Sequence, residues 1–439
     1  MSISLITILL FGSLLLLLIF GLPLAFCFGA VAIVFIVWQW GTDALFIVAT
    51  TAFSSWTNFV LIAVPLFILM ANFLERSGLA EDLYDMMYKW AGPLRGGLAM
   101  GTIFICAIFA AMAGISGVAT VTMGLIALPS MLKRNYDKII AVGCISAGGT
   151  LGILIPPSII MILYASLTGE SVGKLFMGGV FPGIILSAIF ILYIGIRTLL
   201  QPQLGPPIPK EERAEWKEKF QSLKSVILPI ILIFLVLGVI YFGICTPTEA
   251  SGIGAFGALL VTIIKKRFNR KMFKEALLRT LNLTSMVMWI LLGAKCFSHI
   301  YIAIGASEFV HDIITGMHVN RWVVIIGMQI IFFILGCFMD PAGIIMICTP
   351  VFIPLIKKLG FDPLWFGVLF TINMEIGYIT PPFGFNLFYM KGIAAPMGVT
   401  MAEIYRSIIP FVLLEMLGIA LIMIFPQTVL WLPLNMSTR

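Results

Sequence analysis

A succession of long apolar segments is the feature that most restricts what this chain can fold into. Many of the segments approach the roughly 20 residues that cross a bilayer as a helix. The chain is 61% hydrophobic and 11% charged, whereas soluble domains are about 25% charged. The sequence therefore predicts an all-α polytopic membrane protein. The apolar runs lie at about 3–20, 24–40, 58–75, 98–132, 137–169, 172–200, 226–243, 249–265, 282–304, 322–357, 362–396 and 402–425.

The first run is interpreted as a membrane helix, because it has no basic n-region and is followed by another apolar run instead of a polar mature domain. One long polar insertion, 201–225, divides the chain near its middle, and its prolines and mixed charges predict a solvated linker with a short amphipathic helix. Basic residues in this linker and in 265–279 favour a cytoplasmic position for both stretches. Counting spans outward places both termini outside the cytoplasm, although Lys357 and Lys358 then fall on the wrong side.

Two apolar runs have breaks at their centres. The run 98–132 contains GISG at 114–117, and the run 322–357 contains MDPAG at 339–343. In each case the segments on either side are shorter than the ~20 residues needed to span. Each of these runs is therefore predicted to form a re-entrant helical hairpin.

Two further stretches have the pattern of helices that lie along a membrane surface. In 78–92, apolar residues recur at i, i+3 and i+4, with acids and a lysine opposite them. The stretch 305–319 has a similar pattern. The apolar positions are Leu79, Leu83, Met86, Met87 and Trp90 in the first stretch and Phe309, Ile313 and Met317 in the second.

Two adjacent prolines interrupt each of two other runs, within the motif G-x-x-x-P-P at 152–157 and at 377–382. Proline removes a backbone donor and crowds the preceding turn, so both helices are predicted to break there and to free carbonyl groups. The offset is 377 − 152 = 225, and the same shift takes Asp137 to Asp362. The chain is therefore predicted to contain two repeats. Counting the spans predicts that the two repeats cross the membrane in opposite directions. Inverted repeats with discontinuous helices indicate a secondary transporter with a site near the midplane.

The chemistry of a broken helix supports this interpretation. Its half-helix N-terminus presents free N–H groups and a positive dipole to an anion, while unwound carbonyls can replace a cation's hydration shell. Gly148, Gly149 and Gly152 allow close approach, and Thr150 and Thr380 offer hydroxyls. The alternative is a simple proline kink whose carbonyls are repaired by Ser and Thr hydroxyls.

At these motifs the chain resembles the large membrane subunit of the tripartite ATP-independent periplasmic (TRAP) transporters. The similarity covers nearly the whole chain and lies in GISG, GGTLGILIPPS, TPTEAS, FMDP and GYITPPFGFNLF and in their spacing. The resemblance implies an elevator-type transporter with scaffold and transport domains that imports an organic anion, such as a C4-dicarboxylate, a sugar acid or a keto acid, together with sodium.

The resemblance also implies two partners, a small four-helix membrane subunit and a soluble periplasmic substrate-binding protein. Because the chain starts at the large subunit's first helix, the small subunit is expected to be a separate polypeptide. The location implied is the bacterial inner membrane, in contact with lipid. No cofactor other than the coupling sodium ion, no nucleic acid and no enzyme activity are expected.

The implied domains follow the repeats. Scaffold helices and an interfacial arm occupy 1–95, and the first hairpin and broken helix occupy 96–170. Scaffold helices with the linker follow in 171–320. The second hairpin and broken helix occupy 321–396, and a C-terminal membrane helix occupies 397–439.

The site implied by the resemblance lies at the hairpin tips and the helix breaks. The candidate substrate-binding residues are Gly114, Ser116, Gly117, Pro156, Pro157, Ser158, Asp340, Pro381, Pro382 and Asn386. The candidate sodium-binding residues are Ser116, Gly148, Gly149, Thr150, Gly152, Asp340, Glu375, Gly377 and Thr380. One departure is that Val118 and Thr122 stand where the family commonly has a second serine and an acid, which removes side-chain ligands there.

Several alternatives remain open at this point. Glu249, in TPTE, fits a capping box better than an ion site, and Asp340 is either an ion ligand or a helix cap. A stand-alone symporter of related architecture would need no binding protein. An intramembrane enzyme would need a nucleophile or a metal set that the sequence does not offer, and a channel does not require two inverted hairpins.

Overall fold

The structure is a computed structural model that describes residues 2–306, 308 and 319–437. Within these residues all regular elements are helical. The helices are α1 Ile3–Ile19, α2 Leu24–Trp40, α3 Phe46–Trp56, α4 Ala63–Glu75, α5 Leu79–Ala91, α6 Gly97–Ala113, α7 Ser116–Lys133, α8 Lys138–Leu154, α9 Ile159–Thr168, α10 Val172–Leu200, α11 Trp216–Ser222, α12 Lys224–Ile233, α13 Val239–Tyr241, α14 Pro247–Ile264, α15 Arg270–Ala303, α16 Arg321–Gly336, α17 Pro341–Lys358, α18 Pro363–Ile379, α19 Phe385–Ala394, α20 Met401–Ile424 and α21 Gln427–Leu434. A π-helical turn, Phe234–Gly238, joins α12 to α13.

The described part of the chain contains eight helices long and apolar enough to cross a membrane. The number is nine if the bent pair Thr42–Trp56 and Phe59–Glu75, which meet at 57°, forms one span. The chain is thus a multi-pass membrane protein, as its apolar runs predicted.

The predicted interruptions all occur at the predicted places. The first hairpin run divides at Gly114, whose positive φ of 66° lets α6 end one residue earlier without a Cβ clash. The second hairpin run, 322–357, divides between α16 and α17. Each proline pair separates two helices, α8 from α9 and α18 from α19.

The shift of 225 found in the sequence also relates the helix bounds. It takes Ser116–Lys133 to 341–358, which are the bounds of α17, and it takes Lys138–Leu154 to 363–379, which are the bounds of α18. The packing is reciprocal as well, because α7 packs on α19 while α17 packs on α9, and α8 packs on α18. The correspondence extends further than the sequence indicated. The shift places α2 on α14 and α4 on α15, and α2 packs on α15 while α14 packs on α4.

The span predicted at 58–75 is confirmed as the helical segment Phe59–Glu75, and the span predicted at 282–304 lies in a helix that begins earlier. The span predicted at 58–75 is preceded by α3, and the chain bends where the Asn58 side chain accepts from the Val60 N–H and starts a new helical turn. The span predicted at 282–304 is the second part of α15, which begins at Arg270. The Asn269 side chain caps this helix by accepting from the Met272 N–H, and arginine and lysine in the first turns are good helix formers that do not stop it.

The predicted amphipathic helix at 78–92 is α5, which packs against α6 with Leu79 and Leu83 buried. Its Trp90 indole stacks edge-on against Phe220 of the linker helix α11 at 5.8 Å, and the indole N–H donates to the Lys219 carbonyl at 3.0 Å. The second stretch predicted to lie along the membrane, 305–319, falls mainly outside the described residues.

The linker is largely exposed, as predicted, and contains the short helix α11. Three backbone hydrogen bonds attach it to neighbouring elements: Gly96 N–H to Gly205 O at 2.8 Å, Ile208 N–H to Gly92 O at 2.9 Å, and Asp137 N–H to Leu204 O at 3.0 Å. The linker therefore ties the ends of α5, α6 and α8 together.

Candidate functional site

The tip of the first hairpin lies directly against the first helix break. A methyl group added at Gly114 would overlap the carbonyl oxygen of Pro157, and one added at Gly152 would lie 3.0 Å from the carbonyl carbon of Ile115. Both glycines therefore permit backbone to approach backbone. These contacts bring four of the predicted site residues together: Gly114, Ser116, Gly152 and Pro157.

The second hairpin repeats this arrangement with its own break. The α-carbons of Gly336 and Gly377 approach so closely that a methyl group on Gly377 would lie 2.9 Å from Gly336 Cα. The Phe383 N–H, just beyond Pro381 and Pro382, donates to the Cys337 carbonyl at 3.2 Å.

One residue joins the two halves of the site. Asn386, at the start of α19, is fully buried, and its Oδ1 accepts from the Ser116 hydroxyl at 3.0 Å. Its Nδ2 donates to the Ser146 carbonyl at 3.2 Å. A methyl group added at Gly117 would lie 2.8 Å from the Tyr389 ring. The tip of the first hairpin therefore meets the second half of the other broken helix.

The four helix N-termini around these breaks differ in their capping. Ser158 caps α9 by accepting from the Met161 N–H at 3.4 Å, and Asp340 caps α17 by accepting from the Ala342 N–H at 2.9 Å. By contrast, no side chain of the described residues caps α7, which follows Ile115, or α19, which follows Gly384. The two N-termini without a cap are the two that meet at Ser116 and Asn386.

Some of the carbonyl groups freed by the breaks are already hydrogen-bonded. The Ser158 hydroxyl donates to Ile153 O, and the Thr380 hydroxyl donates to Ile376 O at 2.6 Å. Serine and threonine therefore repair part of each break, as the kink alternative expected.

The remaining predicted sodium residues are not all at the hairpin tips. Gly148 lies against Cys106 and Gly149 against Thr120, so both allow α8 to pack on the hairpin helices. The Thr150 hydroxyl instead donates to Glu415 Oε1 at 3.1 Å. Among the residues that the structure describes, Glu375, which is also fully buried, has no hydrogen-bond partner on either carboxyl oxygen.

Two features at the site were missed from the sequence. Glu415 is fully buried in α20, and a lone acid within an apolar run was the signal that could have found it. Aromatic residues surround the start of α19, with Phe383, Phe388 and Tyr389 each more than two-fifths exposed. Glu249 forms the capping box predicted for it, since its carboxylate accepts from the Thr246 N–H at 2.8 Å. Among the residues that the structure describes, no cluster of His, Cys, Asp and Glu is arranged to hold a metal ion.

Paired hairpins and broken helices that meet at buried polar tips define this chain as a membrane transporter subunit. A family model described as "Tripartite ATP-independent periplasmic transporter, DctM component" matches residues 11–428. The chain belongs to this family, and it is a transport subunit and not an enzyme.

Individual proteins agree with this assignment. The chain is 33% identical over 393 residues to the C4-dicarboxylate TRAP transporter large permease protein DctM of Pseudomonas aeruginosa, covering 89% of this chain and 90% of that one. It is 31% identical over 415 residues to the isethionate TRAP transporter permease protein DctMQ of Oleidesulfovibrio alaskensis, covering 94% of this chain and 64% of that one. The crystal structure of the Alcanivorax borkumensis YdaH transporter has a similar fold, with a TM-score of 0.64 at 14% identity, covering 95% of this chain and 99% of that one.

Proposed function

We propose that this chain imports an organic anion across the bacterial inner membrane, driven by sodium, by an elevator movement of its two hairpins and broken helices. A soluble periplasmic protein delivers the anion, and a small membrane subunit completes the transporter. The observation that carries the proposal is the meeting of two N-termini, those of α7 and α19, without side-chain caps at Ser116 and Asn386.

The first step concerns the anion. An N-terminus without a cap presents backbone N–H groups and the positive end of a helix dipole, and two such ends facing one point favour a carboxylate or sulfonate. The Ser116 hydroxyl and the Asn386 amide add polar groups there, and the exposed rings of Phe383 and Tyr389 offer apolar contact to a carbon skeleton. The proposed substrate-binding residues are Gly114, Ser116, Gly117, Pro156, Pro157, Ser158, Asp340, Pro381, Pro382 and Asn386.

The printed names of the relatives support this substrate class. One is named for C4-dicarboxylates and the other for isethionate, and both are small organic anions. The second relative is named DctMQ and is covered to only 64% by this chain. The name supports a small membrane subunit as a partner of this chain.

The second step concerns sodium. The glycines at the ends of α8 and α18 bring unwound backbone close to the hairpin tips, where carbonyl oxygens are hard ligands of the kind that an alkali ion prefers. The proposed sodium ligands at the tips are Ser116, Gly152, Asp340, Gly377 and Thr380, while Gly148 and Gly149 shape the neighbouring helix.

The third step concerns movement. The reciprocal packing of α7 on α19 and of α17 on α9 supports two inverted repeats that form one unit. Such a unit, carried by α2, α4, α14 and α15, can move against them without unpacking its own interior.

The test is uptake into proteoliposomes. The chain is reconstituted with its small subunit and its binding protein, and a radioactive organic anion is presented under an inward sodium gradient. We expect accumulation that collapses when the sodium gradient is removed or the binding protein is omitted. Equal accumulation by this chain alone would support a stand-alone symporter instead, and accumulation without sodium would refute the coupling.

A further inference from the structure

Three oxygens of two buried carboxyl groups have no hydrogen-bond partner within the described part of the chain. They are both oxygens of Glu375 and Oε2 of Glu415, and both side chains are fully buried. The two carboxyl groups are close enough to interact electrostatically. The ion pairs of the described residues include neither of them. Isolated buried charges are costly, so this pair must be neutralised by a proton, a cation or one of each.

We propose that Glu375, Glu415 and Thr150 bind a second sodium ion, separate from the ions at the hairpin tips. The Thr150 hydroxyl shares its one proton between the Ala147 carbonyl at 2.6 Å and Glu415 Oε1 at 3.1 Å, and its oxygen lone pairs remain available to a cation. The inference rests on the sodium coupling proposed above, and Glu415 is the residue that it adds.

The position of the three residues in the fold supports a role in transport. The shift of 225 takes Thr150 to 375, so Thr150 and Glu375 occupy the same place in the two broken helices, on α8 and α18. Each lies six residues before the first proline of its break. Glu415 reaches them from α20, which packs on both helices. An ion held there would connect the first halves of both broken helices to α20.

The donor set favours a monovalent ion. Calcium takes six to eight oxygen ligands and magnesium keeps near-ideal octahedral geometry with several waters, whereas two carboxyl groups and one hydroxyl in a fully buried place offer little room for water. Zinc and other transition metals would favour histidine or cysteine. Cys106 packs against Gly148 of α8, and Cys144, within α8, donates its thiol to the Ala141 carbonyl at 3.2 Å.

The experiment is equilibrium binding of radioactive sodium to the purified full chain in detergent, without any organic anion. We expect Glu415→Gln and Glu375→Gln to bind fewer sodium ions per chain than the unaltered protein. Glu211→Gln, which alters an exposed linker carboxyl group, is the matched control and should bind as many as the unaltered chain. Unchanged stoichiometry and affinity in Glu415→Gln would overturn the site.

A second variant tests the site while Glu375 and Glu415 remain unaltered. Thr150→Val removes one ligand and should raise the half-saturating sodium concentration about tenfold, as supporting groups of metal sites do, with an unchanged melting temperature in potassium. Wild-type affinity in this variant would refute the role of Thr150.

The two proposals can fail separately. If the unaltered chain binds sodium but the glutamine variants bind it equally, the Glu375 and Glu415 site is wrong and sodium coupling stands. If the unaltered chain binds no sodium and the reconstituted transporter ignores the sodium gradient, both proposals are wrong.

Discussion

The Ser116 hydroxyl donates to Oδ1 of Asn386 at 3.0 Å, although the two residues are 270 positions apart in the sequence. This bond joins the tip of the first hairpin to the start of the second half of the other broken helix. Both side chains are buried, and both stand at helix N-termini that carry no side-chain cap in the described structure. The candidate site therefore combines residues from the two segments that the shift of 225 relates.

A carboxylate placed at the N-terminus of α7 should compete with an anionic substrate. Ile115 precedes this helix with extended backbone, at φ −137° and ψ 120°, which is the conformation of an N-cap residue. We therefore expect Ile115→Asp to cap α7, to keep the fold, and to raise the half-saturating substrate concentration of uptake strongly.

The near-isosteric variant Ile115→Asn is the control. Asparagine caps as well as aspartate but adds no charge, and it loses the same isoleucine packing. We expect a much smaller effect on uptake than that of Ile115→Asp. Equal effects of the two variants would show that lost packing, and not charge, is responsible.

The contact between Gly336 and Gly377 should tolerate no side chain. A methyl group on Gly377 would lie 2.9 Å from Gly336 Cα, and the neighbouring atoms are backbone that cannot rotate away. Gly377→Ala should therefore destabilise the protein by about 1–3 kcal/mol, as overpacking of a tight interior does. The measurement is the melting temperature in detergent.

Gly392 in α19 provides the comparison. A methyl group there meets no atom within 4 Å, and alanine in a helix interior is favoured over glycine by about 0.5–1 kcal/mol. We expect Gly392→Ala to melt at the same temperature as the unaltered chain or slightly higher. If Gly377→Ala melted like Gly392→Ala, the close approach of α16 and α18 would be wrong.

The features that were predictable from the sequence are those with a local cause. Proline pairs break helices wherever they stand, and glycine in a short motif allows the chain to turn, so the positions of all four helix interruptions were predictable. The capping box at Glu249 was predictable for the same reason. The bond between Ser116 and Asn386 was not, although both residues were candidates, because nothing local indicates which helix end packs on which.

The errors have a physical cause as well. Charged residues were taken to end a span, yet Arg270 and its neighbours begin α15 because Asn269 caps it. Glu415 was overlooked because only its proximity to Glu375 and Thr150 makes it a candidate ligand. These two residues lie on other helices and approach Glu415 only in the folded chain.

Asp340 combines a structural and a proposed functional role, and two substitutions separate them. Its carboxylate accepts from the Ala342 N–H at 2.9 Å and caps α17. Asparagine caps nearly as well as aspartate, so Asp340→Asn should leave the melting temperature unchanged, whereas Asp340→Ala should cost roughly 1 kcal/mol. If the carboxylate also binds sodium, Asp340→Asn should raise the sodium concentration needed for half-maximal uptake. Sodium titrations of transport check this, and an unchanged titration for the asparagine variant would leave Asp340 as a cap only.

The last prediction concerns the linker, which an ion pair attaches to the first hairpin. The Arg134 guanidinium donates to the Glu212 carboxylate and also to the Tyr88 hydroxyl, the latter at 2.6 Å. The hydrogen bond from Arg134 lowers the pKa of Glu212 below its ordinary value. A carboxyl group with a lowered pKa in the folded state contributes its stabilisation above the unfolded pKa, and this contribution is lost as the pH falls through the folded value.

Acidification below the ordinary carboxyl range, about 4, should therefore release the linker, and Glu212→Gln should weaken its attachment already at neutral pH. Limited proteolysis of the linker measures this, with faster cleavage expected for Glu212→Gln than for the unaltered chain. Glu211→Gln is the matched control, because the structure gives this neighbouring exposed carboxyl group no ion pair. Equal cleavage rates for the two variants would show that the linker is held by its backbone hydrogen bonds to Gly92, Gly96 and Asp137 alone.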